Sequence, residues 1–242
     1  MENPVKLLWT GGWDSTFRLL DLLLVKKRAV QPYYIISRSR QSCEMEIKTM
    51  EKIRNLIFKK NPETRKMLLP LITKERNSIA ISKDITEKYN RLFSITYLGD
   101  QYVYLASFAE GSHIDDLELA IHRDDQAHKF IEDYVVEEKD YFRLKDLPYQ
   151  SDLTLFKYFR FPILNYTKLD MEQLALKHDF LDIMNQTWFC HSPIHGQPCG
   201  VCNPCRTTSE EGMQRRLPFR GRIRYFTHFK VKPALKKILR AS

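Results

Sequence analysis

Near the N-terminus the apolar run Leu7-Leu8-Trp9 leads through Thr10 into the glycine pair Gly11-Gly12. It leaves through Trp13-Asp14-Ser15-Thr16 into a second apolar run over residues 17–25. This order restricts the segment to a strand, a tight turn and a helix. Glycine lacks a β-carbon, so the turn can reach positive φ and let consecutive backbone N–H groups close on an anion. Asp14, Ser15 and Thr16 then stand at the expected helix start, where a carboxylate or hydroxyl caps free N–H groups and the helix dipole favours phosphate. On the glycines alone, a plain turn between a strand and a helix is the competing assignment, because short glycine motifs are unspecific.

The rest of the chain extends this start into an α/β pattern. Residues 5–9 and 31–37 read as strands around a helix over 16–26, a βαβ unit that implies a parallel twisted sheet with helices on both faces. Further helices are expected over 44–59, where Met45, Met50, Ile53 and Ile57 fall near helical spacing, and over 100–110, 125–135 and 168–177. Strands are expected over 67–72 and 117–121. Open parallel sheets take ligands at the carboxyl ends of their strands, which puts the loop over 10–15 and those after residues 37 and 121 around one crevice. At 242 residues the chain suits one such core with a small appendage. The apolar stretch over 19–25 is broken by Asp21 and too short to span a bilayer, and little precedes the first strand, so the expectation is a cytoplasmic protein with no membrane partner.

Four of the five cysteines lie close together, as Cys190-x8-Cys199-x2-Cys202-x2-Cys205. In a reducing compartment such spacing reads as a metal site rather than as disulfides. Gly196, Pro198, Gly200 and Pro204 supply the tight turns. Four thiolates with no open position match tetrahedral Zn²⁺ in a structural role. His191 and His195 lie inside the long loop, but the shell is already full, so they read as surface or neighbouring groups. Cys43 stands alone at an expected helix start and reads as a small buried apolar residue.

The formal net charge of +9 is unevenly placed. Residues 213–242 hold ten of the 39 Lys and Arg and no Asp or Glu, which leaves residues 1–212 nearly neutral. A basic tail of this kind suits nucleic acid, an acidic protein surface or another subunit of an oligomer, with a solvated tail as the plain alternative. The expected organisation is therefore a nucleotide-binding α/β domain over 1–186, a zinc knuckle packed on it over 187–212, and a basic tail over 213–242.

The string over 10–15 resembles the Ser-Gly-Gly-x-Asp-Ser loop of the PP-loop ATP pyrophosphatases, with Thr10 for the first serine. It fits neither the kinase and GTPase P-loop, which needs four residues between its glycines, nor the dinucleotide fingerprint, which needs a third glycine. Together with Cys199-Gly200-Val201-Cys202-Asn203-Pro204-Cys205-Arg206, it resembles one family within that group, the 7-cyano-7-deazaguanine synthases (QueC-like). The run Ser37-Arg38-Ser39-Arg40 with Glu44, and the segments Phe161-Pro162-Ile163-Leu164 and Lys168-Leu169-Asp170-Met171, are similar to further parts of the family pattern. Two segments depart from it: Asp100-Gln101 stands for an Arg-Asn pair, and Asp124-Asp125-Gln126-Ala127 for Pro-Asp-Cys-Arg.

The resemblance implies an adenine nucleotide alpha hydrolase-like fold and an ATP-dependent ligase. ATP would activate a small-molecule carboxylate such as 7-carboxy-7-deazaguanine, pyrophosphate would leave, and a C–N bond would form. Trp9, Thr10, Gly11, Gly12, Asp14, Ser15, Thr16, Ser37 and Arg40 would bind the nucleotide; Asp14, Ser15 and Lys168 would act in catalysis, Asp14 by holding Mg²⁺ and Lys168 by neutralising phosphate. Cys190, Cys199, Cys202 and Cys205 would hold Zn²⁺, with an iron–sulfur cluster, as in some tRNA thiolases of the superfamily, as the competitor. Divergent relatives occur in antiphage operons, where deazaguanine chemistry is linked to a macromolecule. A tRNA-modifying PP-loop enzyme and a nucleic-acid-binding zinc protein without turnover are the alternative readings. Removal of residues 217–242 is expected to leave ATP binding intact but to weaken turnover or association with a macromolecular partner at low salt.

Overall fold

The computed structural model of the protein describes residues 3–38 and 40–233. Ser39 of the family-like run, and Lys236, Lys237 and Arg240 of the basic stretch, lie outside the described residues. Among the described residues seven strands form one mixed sheet: β1 (Val5–Leu8), β2 (Val30–Ile36), β3 (Ile72–Glu75), β4 (Leu117–Glu118), β5 (Val135–Glu137), β6 (Phe142–Leu144) and β7 (Phe159–Phe161), in the order β3-β2-β1-β4-β7-β6-β5. The helices are α1 (Trp13–Leu20), α2 (Cys43–Lys60), α3 (Lys83–Ile95), α4 (Gln101–Gly111), α5 (His128–Ile131), α6 (Lys168–Lys177), α7 (Leu181–Met184), α8 (Asn203–Thr208) and α9 (Phe219–Phe226).

Helices cover both faces because the central strands are apolar on both. Leu7, Val30 and Tyr34 pack with α1, α2, α6 and α7. Their neighbours Leu8 and Ile35 point the other way, into a core with α3 and α4, as the two-residue period of a strand requires. Strands β3, β2, β1, β4 and β7 run parallel. The expectation of a wholly parallel sheet is corrected at one edge: β6 runs antiparallel to both β7 and β5. The chain between β5 and β6 spans only residues 138–141, and so short a connection can only turn back as a hairpin.

Several boundaries also move for local reasons. Helix α1 starts at Trp13 rather than at residue 16, because the extended Gly12 (φ −77°, ψ 170°) caps it directly after the turn. The strand expected over 67–72 becomes a single bridge from Leu68 to Val30, after which Pro70, with no N–H to offer, delays β3 until Ile72. The helix expected over 125–135 is the single turn α5, and the β-branched pair Val135-Val136 turns to pairing with β6. Helix α3, missed in the sequence, carries a readable start: the Ser82 hydroxyl accepts from the Ile85 N–H.

A buried ion pair joins the first helix to the sheet. Arg18 of α1 donates from Nε and Nη2 to the two carboxylate oxygens of Glu118 on β4, each at 2.7 Å, with side-chain exposures of 2% and 3%. Asp140, from the hairpin turn, accepts at 2.8 Å from the same guanidinium. Among the described residues no helix is long and apolar enough to cross a membrane.

Candidate functional site

Strand order reverses direction between β1 and β4, and the loop after β1 opens at this switch point, where open α/β sheets form their ligand crevice. Gly11 has φ +71°, and a β-carbon there would meet Met50 Cγ at 3.1 Å and the Glu46 carbonyl oxygen at 3.3 Å. Both backbone conformation and the closeness of α2 therefore require glycine. Ser15 Oγ accepts from the Thr10 N–H at 3.2 Å and lies 3.2 Å from Thr10 Oγ1, which closes the turn on itself. Beneath it, the indole N–H of Trp9 donates to Thr16 Oγ1 at 3.0 Å, with both residues buried.

A cavity of about 280 Å³ opens over this loop. Thr10, Gly12, Asp14 and Ser15 line it from the loop, Arg40 from the segment before α2, Gln101 from the start of α4, Asp125 from the segment after β4 and Lys168 from the start of α6. Trp188, Phe189 and His191 bound it from the knuckle and Arg216 from the segment beyond. Gln101, where the chain departs from the family pattern, and Asp125, which matches it within an otherwise altered segment, thus face the same space as the loop. Trp9, Gly11 and Thr16 support the turn from behind. Ser37 is buried and lines a separate cavity with Arg38 and Glu75.

The charges around the cavity are organised in pairs. Arg40 Nη2 donates to Glu46 at 3.1 Å, and Tyr34 and Ser42 donate to the same carboxylate at 2.7 Å each. The glutamate of α2 that meets Arg40 is therefore Glu46; Glu44, singled out in the sequence, is exposed and lies 4.0 Å from Lys48. Lys168 Nζ donates to Glu211 at 2.6 Å. Burial alone would lower the pKa of the Lys168 ammonium, but the charges of Asp14 and Glu211 outweigh it and hold the pKa above its ordinary value. Burial pushes the Asp125 carboxyl above the usual carboxylate range, although the Ala127 N–H, which donates to it at 2.9 Å, pulls the other way. Burial, then the charge of Arg40, keeps His191 below its ordinary value, so its ring favours the neutral form. Three polar atoms at this site are buried without a hydrogen-bond partner: Asp14 Oδ1, Trp13 Nε1 and Arg40 Nε.

Beside the cavity, Cys190, Cys199, Cys202 and Cys205 bring their sulfurs within 4.8 Å of one another, a cluster able to chelate a metal ion. The pairs Cys190–Cys202 and Cys199–Cys205 are each 3.8 Å apart. That is the edge of a tetrahedron about 2.3 Å from centre to corner, the usual Zn–S distance. Backbone N–H groups of Val201 and Cys202 donate to Cys199 Sγ, and that of Cys199 donates to Cys190 Sγ. The hydrogen bond between Cys190 and Cys202 holds the Cys202 thiol below the usual thiol range and pushes that of Cys190 up. Four sulfurs so close become thiolates together only around a cation.

The knuckle is tied to the loop and to the chain that follows it. The Trp188 N–H donates to the Gly11 carbonyl at 3.0 Å. Residues 213–233, the beginning of the stretch read as a basic tail, pack back on the cysteines: Leu217 and Tyr225 are buried with Cys190, Cys199 and Cys205. A β-carbon on Gly200 would strike the Gly221 carbonyl oxygen at 2.1 Å, which measures how closely α9 lies on the knuckle. Arg224 donates to the Cys199 carbonyl and Arg222 to those of Leu217 and Arg215. Arg216 is the site residue that sequence reasoning missed, because it was counted among the tail's charges. The signal that could have found it is the apolar Leu217-Pro218-Phe219 after it, which is unlike a solvated basic run. Comparison with family models and with curated proteins returns no match for the chain.

Proposed function

We propose that the protein is an ATP-dependent ligase of the PP-loop pyrophosphatase type, similar in its nucleotide half to the 7-cyano-7-deazaguanine synthases. The observation that carries this reading is the Thr10 to Ser15 turn at the switch point, with Arg40 and Lys168 on the same cavity. A carboxylate oxygen of the acid substrate attacks the α-phosphorus of ATP, the α–β bridging bond breaks and pyrophosphate leaves. A nitrogen nucleophile then attacks the acyl carbon, AMP leaves with the C–O bond electrons, and the nitrogen gives its proton to solvent. The loop's backbone N–H groups and Lys168 offset phosphate charge as it shifts to the leaving group. Asp14, with a buried oxygen lacking a partner, fits a divalent cation; Mg²⁺ when bound supplies further charge neutralisation of the phosphates. The cysteine cluster holds Zn²⁺ in a structural role, since its four sulfurs leave no position for a substrate.

The fold expected of such an enzyme, adenine nucleotide alpha hydrolase-like, and the acceptor, ammonia or a macromolecule, belong to the same proposal. Incubation with ATP, Mg²⁺ and 7-carboxy-7-deazaguanine, with and without ammonia, should release AMP and pyrophosphate. Asp14→Ala and Ser15→Ala should abolish release while keeping the fold. Release of ADP and orthophosphate would overturn the reading.

A second reading is supported by the cysteine cluster itself and by the cations that follow it on and after α9. A zinc protein that grips nucleic acid without turnover would use Arg220, Lys230 and Lys232 next to the knuckle. Salt-dependent retention of RNA or DNA by a chain that never forms AMP would favour it.

A further inference from the structure

Arg216 is a cation in the cavity wall with no carboxylate at ion-pair distance among the described residues. Its Nη2 donates to the Thr187 carbonyl at 2.7 Å and to Thr187 Oγ1 at 2.6 Å, both neutral acceptors. Its guanidinium carbon lies 4.7 Å from the Trp13 ring centroid and 4.9 Å from that of Phe189. No ion pair to a carboxylate completes it among the described residues. The other cations of the cavity differ in this respect: Arg40 has Glu46 and Lys168 has Glu211. Burial pushes Arg216 down to about 10, although the charge of Asp14 works the other way.

A guanidinium in contact with two aromatic rings and fixed by a threonine has already lost much of its rotamer freedom, so little more is lost when an oxyanion docks on its remaining N–H groups. Trp13, nearly fully buried, supports the guanidinium from the cavity wall. A cation that lines the cavity with no carboxylate at ion-pair distance among the described residues specifies a ligand oxygen. Lys48 and Lys52 line a neighbouring cavity that shares Arg216, Trp188 and Phe189 with this one, and their charge draws anions towards the wall.

We propose that Arg216 forms an oxyanion subsite on the knuckle side of the cavity, beside Trp13 at the end of the glycine loop. Its ligand is a phosphate or a carboxylate, and Thr187 and Phe189, which precede the first cysteine, set the position of the guanidinium. The subsite does not depend on turnover and can be tested apart from the ligase reading.

The test is calorimetric titration of the full chain with three probes: inorganic pyrophosphate, ATP and 7-carboxy-7-deazaguanine. Arg216→Met, checked for metal content and thermal melting, should lose at least tenfold in affinity for one or more probes. Arg216→Lys should lose less, because the charge remains but the planar fork does not. A loss confined to pyrophosphate and ATP identifies a phosphate as the ligand, and a loss confined to the acid identifies its carboxylate. If Arg216→Met does not fold, Thr187→Val, which removes one anchor of the guanidinium and leaves its charge, should weaken the same probe at least threefold. Affinities within twofold of wild type for all three probes, or a wild-type chain that binds none of them, would overturn the subsite. Loss of affinity in a chain that forms no AMP leaves the subsite standing and removes the ligase reading; unchanged affinity in an active chain does the reverse.

Discussion

Arg18 and Glu118 show how much one pair can carry. A carboxylate on the central strand β4 is tolerable only because the guanidinium of α1 meets both its oxygens, and burial still raises the Glu118 pKa above its usual range. Arg18→Met should therefore destabilise the fold by about 3–5 kcal/mol, the range for stranding one member of a buried pair. Pairing it with Glu118→Leu should recover most of the loss, since two apolar side chains leave no charge to solvate. Urea unfolding of the single and double variants measures both effects. A double variant no more stable than Arg18→Met would show that the polar contacts to Asp140 and Asp21, rather than Glu118, set the cost.

Helix α6 and the knuckle are the elements that present chemistry to the cavity, and each depends on its ends. Thr167 and Asp170 form a reciprocal capping box at the start of α6, immediately before Lys168. The Thr167 hydroxyl and N–H donate to Asp170 and hold its carboxyl below the usual range. A carboxylate lowered in the folded state contributes stability above its unfolded pKa of about 3.9, and that contribution is lost as pH falls through the lower folded value. Asp170→Asn should thus cost about 0.5–1 kcal/mol at neutral pH, with the gap to wild type closing below about pH 4. Denaturation at a series of pH values reads this directly. For the knuckle, Cys199→Ser should lower metal content from one ion per chain, and hydrogen exchange should accelerate in α8 and α9 together, because metal binding and local folding are one equilibrium. Iron instead of zinc in the purified chain would replace the assigned metal.

At the scale of the whole molecule, the chain after the knuckle closes the fold. Leu217 and Tyr225 are buried against the cysteines, so removing residues 217–242 would strip a wall from the metal site. Ending the chain after residue 216 should lower both the melting temperature and the metal content. A truncation at 216 that melts like the full chain would show α9 to be an accessory. The path from Gly11 through Trp188 to the cysteines joins the two ends of the chain at one site, so loss of the metal should also loosen the glycine loop.

The sequence by itself determined the parts whose geometry is set by spacing within a few residues. The strand, glycine turn and helix over residues 5–20 follow from where two residues without β-carbons stand between apolar runs, and the cysteine cluster from four thiols whose separations bring them round one centre. The α6 boundaries were legible for the same reason, since Thr167, Asp170 and a periodic apolar face lie side by side in the chain. Only the tertiary structure decided which residues meet across long separations. Glu44 and Glu46 lie about 200° apart around α2 by helical geometry, and the rotation of the whole helix against the sheet turned Glu46 rather than Glu44 towards Arg40. The antiparallel β5–β6 edge was hidden because three-residue strands carry too little pattern to be seen. Arg216 reads as one more charge in a basic run until Leu217 and Tyr225 find the cysteines, and their burial is what draws its guanidinium out of solvent and into the cavity wall.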